Sequence, residues 1–411
     1  MKRFAISITV LLAAISVLLA QVDRSALSGA VLDPSSAPVP GVTVVATLRA
    51  TGLKRETFTN VSGVYSLQGL PVGEYTVTFT KEGFSSVKFD NLEQVVGQTR
   101  TLNVTLTVAA VSSQVDVNAS TTALNQTTVE LGGRVEGEQL RQIPLNGRNW
   151  ASLMILTPGA IDTGGSNQRS IRYVGRALDE INFTFDGVDA TGVYNQNQKA
   201  NIRLAMSTES IAEFKSSAML YSAEYGGSPG GQVALVSKTG TNDFHGSIFE
   251  YFRNSIFDAR TPFDLASPAA FRLNQFGAGF GGPIIRNKTF FYGNYEGYRQ
   301  SLGQSIVGTV PTPALISQAQ ARTSSLAPYL SIYPQQGATP TKDPNFLQFT
   351  GYSKRLATED AAMFRFDHRF SDSMTAFVRY NADDGVTVCL PGVWVKRRSR
   401  LIGQAMERWS C

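Results

Sequence analysis

Four features of the chain carry residue types that could do chemistry. Gly277-Ala-Gly279-Phe-Gly-Gly282 has the G-x-G-x-x-G spacing of a dinucleotide-binding turn. Such a turn works between a strand and the N-terminus of a helix, where backbone N–H groups reach a pyrophosphate. Here Pro283-Ile284-Ile285 follows and the flanks read as strand, so nucleotide binding is not expected. Lys238-Thr239-Gly240 copies one element of serine β-lactamases and Ser85-Ser-Val-Lys88 another, but no Ser-Asp-Asn stands between them and Ser85 falls among short strands. The only two histidines, His245 and His368, come without clustered carboxylate or cysteine ligands, which leaves a metal site without basis. Asp186 and Asp189 have oxygen ligands for calcium, yet Asp-Gly after a strand ordinarily marks a turn. The expectation is a chain with no catalytic residue, no metal and no cofactor.

Composition narrows the remaining classes. With 42% hydrophobic and 17% charged residues over 411 positions, the chain has the balance of a globular protein of two or three domains. Its formal charge of +5 is unevenly placed: Lys396, Arg397, Arg398, Arg400 and Arg408, against Asp384 and Glu407, supply most of it from the last residues. No basic face is spread over the rest, so a nucleic-acid partner is not expected. Lys2-Arg3 and the apolar run from Phe4 to Leu19, ending at Ala20-Gln21, read as an export signal over 1–20; an uncleaved anchor is the alternative. Nothing later in the sequence is long and apolar enough for a membrane helix. A second encounter with a membrane would have to use a β-barrel. Cysteine is confined to Cys389 and Cys411, so no disulfide framework supports the first 388 residues.

The elements change texture along the chain. Leu27 to Leu106 breaks into strand-sized runs separated by Pro/Gly turns, and Tyr75, Val77 and Phe79 alternate with Thr76 and Thr78. One buried face of an antiparallel sandwich over 21–108 is the expected result. The segment 109–128 reads as a linker. From Leu131 to Lys238, short helices at Gly137 to Gln142 and Trp150 to Leu156 mix with strands at Ser170 to Val174, Asn182 to Phe185 and Gln232 to Val236. Beyond Asn242 the texture turns to aromatic, glycine-rich strands with a period of two: Phe276, Ala278 and Phe280; Phe364, Phe366, His368 and Phe370; Ala376, Val378 and Tyr380. Strands near His245 to Arg253, Asn274 to Ile284, Thr289 to Arg299, Met363 to Phe370 and Met374 to Tyr380 are joined by alternating long and short links. Outer-membrane barrels pair short periplasmic turns with long outer loops in this way.

The motifs Leu145-Asn-Gly-Arg-Asn149, Leu156-Thr-Pro-Gly159, Phe185-Asp-Gly-Val188, Ile211-Ala-Glu-Phe-Lys215 and Glu224-Tyr-Gly226 stand in one order. In that order they resemble the plug domain of TonB-dependent outer-membrane receptors. The first module is similar to the carboxypeptidase regulatory-like domain, a transthyretin-type sandwich. The resemblance implies a mostly β chain: a transthyretin-like β-sandwich, an α+β plug domain over 129–241, and the first strands of an incomplete outer-membrane β-barrel over 242–383. It also implies a receptor or transporter of the outer membrane, energised by a TonB-type periplasmic protein, taking an unidentified small-molecule, glycan or peptide ligand. In that family a short extended segment near the plug pairs with the energising protein by strand addition. Gln114, Val115, Asp116 and Val117 are the candidate here, with a last strand of the sandwich or plain linker as the alternatives. The rival reading is a secreted or surface β-rich binding or adhesion protein without transport.

From about Asp384 the alternation is read as ending, and 384–411 stands as an aberrant basic tail. Such a change resembles translation in a shifted reading frame, a genuine basic tail being the alternative. About five barrel strands would leave open edges in hydrocarbon, so a closed transporter is not expected from the chain as written.

Overall fold

The computed structural model describes residues 24–108, 114–118, 130–145, 148–163, 171–177, 180–191, 206–222, 225–260, 268–331, 333, 335, 338–372, 374–390 and 397–400. The export signal at 1–20, most of the linker, Asn146-Gly147, Ala223-Glu224 and the tail beyond 400 lie outside them. Two units divide the chain: residues 1–247, 279–294 and 363–381 form one, and residues 248–278, 295–362 and 382–411 the other.

The first unit begins with a β-sandwich of β1 (Ser25–Leu32), β2 (Thr43–Leu48), β3 (Lys54–Phe58), β4 (Val64–Leu70), β5 (Gly73–Thr80), β6 (Ser86–Gln94), β7 (Thr99–Thr101), β8 (Val104–Thr105) and β9 (Gln114–Asn118). One sheet has the order β3-β2-β5-β6-β9, and the other β4-β1-β7 with β8 also on β1. The alternation in β5 does what its spacing demands, since Tyr75, Val77 and Phe79 are fully buried. Tyr65 meets Phe79 edge to face at 5.5 Å, and its hydroxyl donates to the Leu102 carbonyl at 2.8 Å. The sandwich reaches past the expected boundary at 108. β9 pairs in parallel with β6, from Ser86 opposite Gln114 to Asp90 opposite Asn118. The candidate partner segment Gln114 to Val117 thus lies in the last strand of this sheet among the described residues, paired along β6.

A mixed α+β module follows: β10 (Leu131–Glu136), α1 (Gly137–Gln142), a 3-10 turn at Trp150–Leu156, β11 (Ala160–Asp162), β12 (Ile171–Tyr173), β13 (Asn182–Phe185), β14 (Val188–Asp189), β15 (Ile211–Met219) and β16 (Gln232–Ser237). Its main sheet has the order β10-β15-β16-β13-β14. Trp150 packs edge to face on Phe214 at 5.3 Å, over a core that includes Phe183, Ile211 and Leu235. β15 is an inner strand of this sheet, but its sequence shows no alternation. With Glu213, Ser216 and Ser217 as buried as Phe214, neither face is polar enough to mark it.

The barrel-type strands are β17 (His245–Asn254), β18 (Phe271–Ile285), β19 (Thr289–Pro311), β20 (Ala338–Pro340), β21 (Phe346–Arg369), β22 (Thr375–Leu390) and β23 (Arg397–Arg400). They form one sheet in the order β17-β18-β19-β21-β22-β23, with β20 also on β21, and among the described residues β17 and β23 do not pair with each other. Phe276, Phe280, Phe364, Val378 and Tyr380 are exposed, while Met363, Arg365 and Gln275 are buried. On β18, β21 and β22 these aromatic residues face outward and Gln275 and Arg365 inward, as the alternation implies, while Phe290 and Tyr292 of β19 are buried.

Two expectations change. β19 and β21 run far into the segment expected to be a loop from Gln300 to Ala362, leaving 312–345 between them, with α2 (Pro313–Arg322) and α3 (Ala327–Leu330). Residues 300–311 lack the aromatic alternation, yet a ladder already formed extends with one added pairing per residue whatever faces outward. About 10 residues are enough for a tilted membrane strand, so these strands run well beyond the bilayer. The second change is at Asp384, where the strand does not stop: β22 continues to Leu390, and Asp384 to Thr387 pair with Arg400 to Arg397. Val386 and Val388 keep a period of two through the stretch read as tail.

Candidate functional site

The site begins at the Asp186-Gly187 turn. Asp186 has φ of 49° and Gly187 φ of 76°, as a two-residue hairpin turn between β13 and β14 requires. A short polar side chain tolerates the left-handed region, and glycine occupies it freely. The turn presents the Asp186 carboxylate inward, where it is 4% exposed. One oxygen accepts from the Ser237 N–H and the other from the Ser237 hydroxyl, both at 2.8 Å. Arg365 of β21 lies 3.3 Å away, and Arg379 of β22 makes a closer ion pair. Arg365 also donates to the Ser237 hydroxyl at 2.6 Å and to Asp367, which in turn accepts from the Thr239 hydroxyl at 2.9 Å. Each guanidinium is covered by a ring, Arg365 by Phe377 at 4.2 Å and Arg379 by Phe185 at 3.5 Å.

A second cluster centres on Glu209. The Ser207 hydroxyl caps the turn Thr208–Ser210 by accepting from the Glu209 N–H at 3.1 Å, which aims the carboxylate into the interior. Lys238 donates to it at 2.9 Å and Ser247 at 3.1 Å, with Arg148 at 3.4 Å. Tyr292 of β19 donates to the Glu209 carbonyl at 2.8 Å. Burial opposes ionisation of Glu209, but the Lys238 bond and charge, the Ser247 bond and Arg148 together hold the carboxyl below its usual range. Burial likewise lowers the Lys238 ammonium, against the opposing pull of Glu209.

Glu213 on β15 differs from both. Burial pushes its carboxyl up to about 7, against the Val96 N–H and the charge of Arg134. Beside it lies a cavity of about 490 Å³ whose lining includes Gln94, Arg141, Asp186, Glu213, Lys238 and Arg365. The Gln94 amide is buried there with no protein partner for either polar atom.

Buried ion pairs of this kind add little net stability, because desolvation offsets much of the attraction. They do fix orientation, since each charge is tolerated only where its partners stand. Their chemistry is that of a reversible latch. No covalent bond is made, and displacing one element returns all its charges to water together.

The motifs weighed for chemistry take other roles. Gly279 and Gly281 sit in strand β18, where an added Cβ would fall 2.7 Å from the Tyr292 hydroxyl and ring respectively. These glycines make room for aromatic rings of the next strand, and no helix N-terminus follows them. Lys238 is the partner of Glu209. Ser85 donates its N–H to the Thr107 carbonyl inside the sandwich, and Lys88 pairs with Asp90 at 2.7 Å. His245 stacks on Tyr292, and His368 meets the Thr289 hydroxyl at 2.9 Å. Asp189 accepts from the Thr191 N–H at 2.8 Å, so the two candidate calcium ligands have separate partners. Among the described residues no group of three His, Cys, Asp or Glu side chains is placed to hold a metal ion. Glu209 was not singled out from the sequence, and Arg148 and Glu213 stood there only within motifs of the plug resemblance, with no role given to either. Arg365 and Asp367 carried a signal, as charges on the inward side of an aromatic strand need partners.

Residues 236–393 match the family model of the outer membrane beta barrel domain, and residues 26–107 that of the carboxypeptidase regulatory-like domain. The TonB-dependent transporter Oar of Myxococcus xanthus is 26% identical over 292 residues, which is 66% of this chain and 26% of that protein. Chitinase ChiA of Flavobacterium johnsoniae is 42% identical over 103 residues, 25% of this chain and 6% of that one. Solved structures match only loosely: 3-chlorocatechol 1,2-dioxygenase of Rhodococcus opacus 1CP, at 13% identity and a TM-score of 0.17, covers 21% of this chain and 61% of its own. A streptococcal ancillary pilin, at 14% and 0.18, covers 21% and 33%. Scores this low carry neither fold nor activity.

The two family matches and the outward aromatic strands define an outer-membrane protein with a β-barrel domain and an N-terminal regulatory-like sandwich. With the match to the transporter, the chain is similar to TonB-dependent receptors that carry this accessory domain. It spans about a quarter of that transporter's length.

Proposed function

We propose that the protein acts without catalysis in TonB-energised uptake across the outer membrane, with the α+β module as a plug held within the barrel strands. The observation that carries this reading is the pair of buried ionic clusters, in which Arg365, Arg379 and Tyr292 of the barrel-type strands grip Asp186 and Glu209 of the module. A fixed support would be served by apolar packing. Clusters of charges with few net kcal/mol between bound and released states suit an element that has to move under force. β9 is the segment offered to a TonB-type partner, a reading supported by its place as the last strand of its sheet among the described residues. The ligand is a small molecule, a glycan or a peptide.

Cysteine at Val115 tests the partner contact. Isolated outer membranes carrying Val115→Cys, mixed with the periplasmic domain of a TonB-type protein scanned with single cysteines, should give disulfide cross-links with a two-residue period. Cross-linking without periodicity, or none, would refute strand addition here. Heat-modifiable migration of the protein, lost when Arg365 and Arg379 are both replaced by Glu, tests the plugged barrel itself.

A further inference from the structure

The sandwich is bonded to the mixed module. Val96, in the turn after β6, is fully buried and its N–H donates to the Glu213 carboxylate at 2.6 Å. The next carbonyl, Gly97, accepts from Lys215 at 3.0 Å, and Lys215 also pairs with Glu130 at 2.6 Å. Arg134 of β10 pairs with Glu93 of β6 at 2.9 Å. Val72 and Val96 from the sandwich pack with Ala212, Ala234 and Val236 of the module in one small apolar cluster. The sandwich also meets the short link between β21 and β22, the strand end beside it and the turn before β17. Arg369 donates to the Gly52 carbonyl at 3.0 Å, Arg55 to the Asp372 carbonyl at 2.8 Å, and the Asn242 N–H to the Ala50 carbonyl at 2.8 Å. Short links mark the periplasmic side of an outer-membrane barrel.

We propose that the regulatory-like sandwich is a periplasmic cap docked on the plug, and that it must undock before the plug can be remodelled. This rests on the transport reading above. The cap holds the same strand, β15, through Glu213 and Lys215 that the ionic latch approaches through Glu209. It also lines the cavity that contains Gln94, through Leu48, Leu53 and Val72. A bead on a flexible linker would place no fully buried valine and no carboxylate-bound N–H at the junction. Because β9 belongs to the sandwich, a pull on that strand loads the cap as well as the chain leading to β10.

The test uses the full-length protein in detergent with Cys389 and Cys411 replaced by Ser. A Val96→Cys/Ala212→Cys pair should oxidise readily, and the Val96 amide should exchange at least a hundredfold more slowly than a free peptide. Lys215→Ala should speed that exchange about tenfold and leave the β5 amides unchanged. Hydrogen exchange of the β15 and β16 amides under urea then reads the remodelling. With the pair reduced these amides should open below the global transition, and with the pair oxidised they should stay protected. A Val96 amide exchanging at the free rate, or a pair that does not oxidise, would overturn the docking. Equal protection in the oxidised and reduced forms would overturn the cap while leaving the docking intact. Amides of β15 and β16 that open in neither form below global unfolding would refute the movable plug on which the transport reading rests, with the docking decided separately by the Val96 exchange.

Discussion

Replacing Asp186 by Ala removes the acceptor shared by Arg365, Arg379 and Ser237. Two guanidinium groups are left facing each other in a region where Arg365 is 9% exposed, and the Ser237 N–H loses its partner. Breaking a buried ion pair from one side costs about 3 to 5 kcal/mol. Arg365 keeps Asp367, so the lower end applies. At about 1.4 kcal/mol per decade, a loss near 3 kcal/mol speeds opening of the β13–β16 pairing by roughly a hundredfold or more. Native-state hydrogen exchange reads this at the amides of Ser237 and of Asp186, whose N–H donates to the Leu235 carbonyl at 2.9 Å. A second change, Arg379→Met, on top of Asp186→Ala should recover much of the loss, because removing both charges leaves less to desolvate. The residue 186 amide exchanging within threefold of wild type in the single variant would refute the latch. A double variant worse than the single one would show that Arg379 stabilises this region mainly through contacts other than its pair with Asp186, such as the Phe185 ring.

Residues 24–118 should fold alone and melt cooperatively, with Phe79→Ala costing about 3 to 5 kcal/mol by chemical denaturation, as Phe79 is fully buried between Tyr65 and Phe89. A broad, non-cooperative transition would count against an independent sandwich. The docked Glu213 carboxyl sits near 7 against an ordinary 4.5, so the docked state binds more protons between those values. Docking should therefore tighten as pH falls from about 7 to 4.5 and level off beyond each limit, with Val96 exchange as the readout; Glu213→Gln should remove the dependence. Glu93, Glu136 and Arg134 face the same carboxyl, and Arg134→Ala should widen the window upward. Gly281→Val places a side chain where a Cβ alone lies 2.7 Å from the Tyr292 ring, and should cost at least about 1 to 3 kcal/mol by overpacking. Heat-modified electrophoresis would show it as a lowered transition temperature.

Much of this protein is decided locally and is legible in its sequence. The alternation of Tyr75, Val77 and Phe79 sets a buried face, and Phe364 and Phe366 against Arg365 and Asp367 set lipid and inner faces. Both follow from the period of two in an extended strand. Asp186-Gly187 marks its turn because few residue pairs accept two positive φ angles. The outer-membrane class follows from such local signals taken in order. What the tertiary structure alone decided lacks a local signature. Glu209 meets Arg148 from 61 residues away and Asp186 meets Arg379 from 193, and an ion pair depends on distance in space. The lengths of β19 and β21 depend on a neighbouring ladder. The place of β9 depends on whether an edge is free beside it, and the same five residues would read alike as linker, partner strand or sheet edge. For the same reason the docking of Val96 against Glu213 was not legible: a valine in a turn looks exposed until another surface covers it.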